Sequence, residues 1–301
     1  MVKLITPTPI VCPNQTNPKY MPMGNAFIVD VMHCINSGNR QIKAATIDGY
    51  IVDKDQKITR LLLKREFVFE QNESFQYIED HKNIFLEFSE IKILKEGYRS
   101  LAAQLGCGID FLFSPQYYPY ENFKEDFNSR YMALYTIEPP SLNRAKFKFI
   151  SADEYAKRIL SFRKRAFKNN KPLKLASTYL ECYLANDDIS AERNPFAGDL
   201  DLFVYQGNNS KLIVEFKTHN LPTPIKNEFF NKYESEDRRR IQVLVDLAIA
   251  TNSYVLFVFW GNRHNQIKIQ LINVKKRLIE ERVFEKNTEL LAKHILELCR
   301  T

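Results

Sequence analysis

The sequence contains no Cys-x-x-Cys pair, no Gly-x-x-x-x-Gly-Lys-Ser/Thr stretch and no long apolar run. Its five cysteines, Cys12, Cys34, Cys107, Cys182 and Cys299, lie far apart. An odd, dispersed set argues against a disulfide frame or a zinc site, and for free thiols in a reducing compartment. Without a glycine loop to cradle phosphates, the chain shows no nucleotide-hydrolysing motor of its own. Gly106-Cys107-Gly108 also lacks the third glycine of a dinucleotide loop. The longest apolar run, residues 254–260, is far too short to cross a bilayer. The start, Met-Val-Lys-Leu-Ile-Thr-Pro, has no apolar core of the kind a secretory leader carries. The expectation is a cytoplasmic protein with no membrane association.

What is present suffices for proper cores. The chain has 301 residues, 45% of them hydrophobic and 13% aromatic, enough for two modest domains or one large one. Residues 1–150 hold 18 Lys/Arg against 17 Asp/Glu, whereas residues 151–301 hold 25 against 19. The basic excess in the second half suits a polyanionic partner, although it also serves solubility. Pro139-Pro140 marks the expected boundary region, with domains at 1–150 and 151–301.

The first half reads as a β-rich α+β domain. Pro7, Pro9, Pro13, Pro18 and Pro22 suggest an extended arm. Strand character is expected from residue 26 to 35, in a hairpin about Asp48-Gly49, across 58–69 and across 84–94, with a short helix over 98–105. Tyr117, Tyr118 and Tyr120 lie in a Pro-rich loop that could stack on bases or serve as a packed connector.

In the second half, Ser151 and Asp153 suit a helix start. That helix carries Arg163, Lys164, Arg165 and Lys168, a basic set for phosphate contact or a solvated face. A helix over 173–184 follows. Ser235 opens another, with Ile241, Leu244, Val245 and Ala248 as its apolar stripe and Arg238, Arg239 and Arg240 as a clamp for DNA. Residues 254–260 read as a buried strand, 267–274 as a further strand and 276–298 as a closing helix. His219 lies in a loop, in reach of a phosphate or incidental.

Between these helices, residues 198–217 predict two strands turning at Gly207, Asn208 and Asn209. Charges sit on these apolar strands. Asp199 and Asp201 share a face of the first, and Glu215 and Lys217 a face of the second. Ions among buried neighbours are costly to desolvate unless a counter-ion compensates. A divalent metal held by Asp201 and Glu215, with Lys217 beside it, would do so. Hard oxygen ligands favour Mg2+, with Mn2+ as a substitute. The competing reading is a surface hairpin with ordinary salt bridges.

At Gly198-Asp199-Leu200-Asp201 and Glu215-Phe216-Lys217 the sequence resembles the PD-(D/E)xK nuclease superfamily, the restriction-endonuclease-like fold. It departs from the named pattern at Gly198, where proline is usual. Which aspartate is the main ligand therefore stays open, with Asp201 favoured and Asp199 in reserve. The resemblance implies an α/β protein whose second half is an αβββαβ core. It implies a centre in which Asp201, Glu215 and the Phe216 carbonyl hold Mg2+ and Lys217 is catalytic. Glu181 takes the place of a helix glutamate near the metal, and Gln242 that of a polar helix residue beside the site. It further implies a metal-dependent DNA endonuclease, in restriction or defence against foreign DNA. A signal- or partner-gated effector, with a partner supplying ATPase or regulatory function, is one alternative. An inactive DNA-binding or assembly protein is the other. Oligomeric state stays open.

Overall fold

A computed structural model of the chain describes residues 3–5, 10–11, 26–55, 57–68, 80–115, 132–163, 175–176, 199–233 and 238–300. Its first elements are β1 (Lys3–Ile5), β2 (Ile10–Val11), α1 (Ala26–Gly38), β3 (Ile42–Ile47), β4 (Gly49–Val52) and β5 (Ile58–Val68). Next come α2 (Ile84–Glu87), α3 (Ser89–Leu105), β6 (Gly108–Pro115), β7 (Met132–Ile137), β8 (Ala145–Ile150), α4 (Ala152–Arg163) and β9 (Leu175–Ala176). The remainder are β10 (Leu200–Gln206), β11 (Asn209–Thr218), α5 (Arg238–Thr251), β12 (Tyr254–Trp260), β13 (Gln266–Ile272), β14 (Leu278–Glu285) and α6 (Thr288–Leu298). Two short 3-10 turns, Ile225–Asn227 and Phe230–Tyr233, lie between β11 and α5. The protein is α/β.

The chain forms two compact units, and they do not follow the expected division at residue 150. The first comprises Met1–Asn25, Asp48–Lys92 and Gly106–Gly198; the second comprises Ala26–Ile47, Ile93–Leu105 and Asp199–Thr301. Pro139-Pro140 lies inside the first unit, in the turn between paired strands β7 and β8.

Among the described residues, the first unit has a sheet ordered β1-β5-β6-β7-β8, with β4 also pairing β5. Parallel neighbours cannot be joined by a tight turn, and the connection from β5 to β6 carries α2 and α3. Ile51, Leu62, Leu112, Met132, Leu134 and Ile150 form a core with Tyr155, Ala156 and Ile159 of α4. Ser151 caps α4 as expected: its hydroxyl accepts from the Glu154 N–H at 3.2 Å, and its own N–H donates to the Glu154 carboxylate at 2.9 Å. Four charged residues of the same unit form one cluster. Arg60 donates to Asp110 at 2.8 Å and to both Glu138 oxygens at 2.9 and 2.5 Å. Arg158 donates twice to Asp110 at 2.9 Å, and both guanidiniums lie over the Phe162 ring.

The second unit holds a six-stranded sheet among the described residues, ordered β14-β13-β12-β11-β10-β3. Strands β11 and β12 are parallel and the other pairs antiparallel, so α5 is the crossover between them. Helix α5 packs on β11 and β12, and α1 packs on α6 and β3. Phe27 of α1 stacks on Trp260 at 4.2 Å and meets Phe216 edge-on at 6.1 Å.

Several expected elements change type, each for a readable reason. Residues 26–35 form the helix α1, whose Val31 and Ile35 are buried one turn apart; a short apolar run does not distinguish strand from helix. Residues 84–94 are helical too, with Ile91, Leu94, Tyr98 and Leu101 buried at helical spacing along α3. The hairpin about Asp48-Gly49 does not exist. Strand β3 pairs with β10 and β4 with β5, so the chain leaves one unit for the other there. The closing helix begins only at Thr288, capped by Asn287, which accepts from the Leu290 N–H at 2.9 Å. Before it, β14 keeps Leu278, Ile279 and Val283 exposed, so their helical spacing reflects no buried stripe. In the expected helix over 173–184, Leu175 and Ala176 instead pair as a strand with Val11 and Ile10, and its other residues lie outside the described ones.

Candidate functional site

The β10–β11 hairpin turns at Gly207 and Asn208, and Gly207 takes φ 55°, a conformation that side chains with a Cβ rarely adopt. From the turn the ladder runs to the pair Leu202–Val214 and stops there. Just beyond that pair the Phe216 N–H donates to Asp201 Oδ2 at 2.7 Å. A side-chain carboxylate thus takes a place that strand backbone would otherwise fill. The two carbon chains part at this point, and extended geometry sends the Phe216 carbonyl to the same edge as its N–H. Acidic side chains therefore collect where the strands fork.

Asp199, Asp201 and Glu215 converge there on one guanidinium, that of Arg240 on α5. Arg240 grips Glu215 with two bonds, Nε to Oε1 at 2.6 Å and Nη2 to Oε2 at 2.8 Å. Its Nη1 donates to Asp199 Oδ1 at 2.5 Å, and Nη2 stands 3.8 Å from Asp201 Oδ1, beyond hydrogen-bond range. Lys217 Nζ lies 3.0 Å from Glu215 Oε1. Exposure falls steeply into the site, from 59% for the Asp199 side chain to 17% for Asp201 and 2% for Glu215.

Three carboxylates face two cations. Burial first, then the charges of Glu215 and Asp199, push the Asp201 pKa well above the ordinary aspartate value; Arg240 and the Phe216 N–H only partly oppose this. For Arg240 burial works against the cation, but the charges of Glu215 and Asp199 outweigh it and hold its pKa above the usual guanidinium range.

A second layer sits behind Lys217. The Tyr233 ring lies 5.2 Å from the Lys217 ammonium, and its hydroxyl donates to Glu228 at 2.7 Å. Glu228 also receives Lys232 Nζ at 2.8 Å and faces His219 Nδ1 at 3.0 Å. Burial opposes the Glu228 charge, yet the bonds from Lys232 and Tyr233 hold its pKa below the ordinary glutamate value. His219 is 2% exposed, so the phosphate contact considered for it is replaced by an internal clamp. Its other ring nitrogen lies 2.7 Å from the Thr223 carbonyl, and the His219 backbone N–H donates to the Trp260 carbonyl at 2.6 Å. Gly261 permits that approach, because a Cβ there would overlap the His219 carbonyl oxygen. Buried polar groups on β13 hold the connecting segment: Lys268 Nζ donates to the Lys226 carbonyl, and Gln270 accepts from the Phe230 N–H.

The structure therefore brings together Asp199, Asp201, Glu215, Lys217 and the Phe216 backbone. It does not bring Gln242 to them. Two residues on a helix are about 200° apart, so Gln242 faces away from Arg240 and instead donates to Asp246 at 2.8 Å on an exposed face. Arg240 is no free clamp for DNA, being held by the acids; Arg238 is exposed, and the Arg239 side chain lies outside the described residues. Arg163 belongs to the first unit and is 6% exposed, with burial lowering its pKa to about 10, so it offers no solvent-facing charge to a phosphate. Glu181, Lys164, Arg165, Lys168, Tyr117, Tyr118, Tyr120 and Ser235 lie outside the described residues. Sequence reasoning missed Tyr233 and Glu228; the Glu228–Lys232 spacing of four was their only local sign.

Among the described residues, no group of three or more His, Cys, Asp or Glu side chains is arranged to hold a metal ion as it stands. Arg240 occupies the point on which the oxygens converge. The donor set itself is all hard oxygen, the ligand type that Mg2+ and Mn2+ take.

No protein-family model matches the chain, and no curated protein matches it. Among solved structures the chain is similar to one titled "Crystal structure of Sex pheromone staph-cAM373 precursor", at 8% identity and a TM-score of 0.21. That match covers 91% of this chain and 100% of the other. A likeness so slight carries no argument about fold or activity.

Proposed function

We propose that the chain is a divalent-metal-dependent nuclease acting on DNA. One observation carries the reading: the Asp201 and Glu215 carboxylates meet at the fork of β10 and β11, with Lys217 beside them and the Asp201 pKa pushed well above its ordinary value. Asp201, Glu215 and the Phe216 carbonyl would hold the ion, with Asp199 at the exposed rim. When bound, it would polarise the phosphoryl oxygen and lower the pKa of a coordinated water. Lys217, anchored to Glu215 and backed by the Tyr233 ring, presents an ammonium that orients the attacking water and neutralises charge developing on the phosphate. The element order also supports the reading: apart from α3, which falls between β3 and β10, the second unit's α1, β3, β10, β11, α5 and β12 run helix, three strands, helix, strand. The basic excess beyond residue 150 suits a polyanionic substrate.

Nicking of supercoiled DNA with Mg2+ tests this. Cleavage by the wild type that disappears in Lys217→Ala supports the enzyme. Cleavage that requires an added partner or small signal supports a gated effector in restriction or defence.

The bidentate grip of Arg240 on Glu215 favours a second reading, in which the acids form a purely structural ion cluster in an inactive DNA-binding protein. Retained DNA binding without cleavage or metal uptake under any condition distinguishes it.

A further inference from the structure

We infer that Arg240 is an exchangeable counter-ion of the metal centre: its guanidinium holds the carboxylates in the metal-free protein and is displaced when a divalent cation takes them. This rests on the nuclease reading above and adds a regulation of the same site.

Charge balance is the first argument. Arg240 holds Glu215 by two hydrogen bonds and Asp199 by one but stands 3.8 Å from Asp201, the carboxyl it serves least. A divalent ion in place of the guanidinium brings Glu215 and Asp201 one more positive charge than Arg240 does. The exchange therefore relieves the repulsion that Arg240 leaves in place.

Geometry is the second. The carboxylate oxygens already point at a common cation, since Arg240 Nη2 stands 2.8 Å from Glu215 and 3.8 Å from Asp201. The ligand oxygens need only exchange one positive group for another. Both oxygens of Glu215 are committed to Arg240, so metal and guanidinium cannot hold that carboxylate fully at once.

Accessibility is the third. The Arg240 side chain is 23% exposed, and its Asp199 partner is 59% exposed. One arm of the grip is thus solvent-screened. Glu215, at 2%, stays behind as a ligand.

Mn2+ titration by calorimetry, on the full chain, tests the exchange in the wild type, Arg240→Ala and Arg240→Lys, with thermal unfolding in EDTA and in saturating Mn2+ as a second readout. Removing the competitor should tighten Mn2+ binding at least about tenfold, since no ion pair then has to be broken. Arg240→Ala should melt below the wild type in EDTA and regain the difference in Mn2+. Arg240→Lys, which keeps a charge without the two-pronged grip, should fall between them and covers the case in which the alanine variant does not fold. Equal Mn2+ affinity in all three proteins overturns the exchange while leaving the metal reading in place. No heat of Mn2+ binding in any of them overturns both. Asp201→Asn, as a control, should lose the binding site.

Discussion

Each unit of this protein gathers arginines and carboxylates, and the two gatherings differ in arithmetic. In the first unit Arg60 and Arg158 face Asp110 and Glu138, two against two, at 2.5–2.9 Å and over a shared aromatic ring. Burial acts against the Glu138 charge, but the hydrogen bond and charge of Arg60 outweigh it, and its pKa sits below the ordinary glutamate value. In the second unit three acids share Arg240 and Lys217, and the Asp201 pKa is pushed up. A balanced cluster satisfies every charge it buries and has nothing left to bind. In the second cluster burial and neighbouring acids disfavour the Asp201 charge, and perturbed groups of that kind gather where chemistry is done.

The largest test of the contrast is a swap of equivalent changes. Asp201→Asn should abolish Mn2+ binding and reduce DNA cleavage by about a hundredfold or more, measured as single-turnover rate in Mg2+. In EDTA the same variant should be as stable as the wild type or more so, because a repelled carboxyl has been neutralised. Asp110→Ala should do the reverse, leaving Mn2+ affinity untouched while lowering stability by roughly 3–5 kcal/mol in chemical denaturation, since Arg60 and Arg158 lose their buried partner. A destabilised Asp201→Asn, or an Asp110→Ala that loses metal, breaks the comparison.

Acidity sharpens it next. The folded pKa of Asp201 is raised, so its contribution to stability is complete below the unfolded value, about 3.9, and is lost as pH rises through the raised value. The folded pKa of Glu138 is lowered, so its contribution is complete above the unfolded value, about 4.3, and is lost as pH falls through the depressed one. Melting temperature followed against pH in EDTA should therefore rise less toward acid in Asp201→Asn than in the wild type. Glu138→Gln should blunt the loss at the acid end, modestly, because that side chain is 44% exposed. Mn2+ affinity should climb with pH as Asp201 gives up its proton.

The smallest expected effect belongs to Gln242→Ala. Its partner is an exposed Asp246 one turn away, so stability should fall by only about 0.2–0.5 kcal/mol and cleavage should stay within twofold, about the scatter of a rate assay. A large loss of cleavage would place this face of α5 against the substrate.

The sequence made the hairpin legible because everything in it is local. Period-two alternation, a Gly-Asn turn and three charges within seventeen residues set Asp201, Glu215 and Lys217 on neighbouring strands. Helix α5 was legible from its buried stripe of Ile241, Leu244, Val245 and Ala248. Positions 240 and 242 flank that stripe on opposite sides, so the stripe alone does not say which of them turns toward the acids. Tyr233 and Glu228 reach the site through two irregular turns with no periodicity to read. Strand β3 is the hardest case: its register partner begins at Leu200, and nothing in Ile42–Ile47 names a mate so distant.

That distance has a consequence during synthesis. A ribosome releasing about 5–20 residues per second must add roughly 150 more after β3 emerges before β10 arrives to pair with it, a wait on the order of ten seconds. Through that interval the nascent helix α1 and its strand have no sheet to join, while the inserted segments can already be assembling. The acidic fork is therefore among the last features of the newborn chain to take shape.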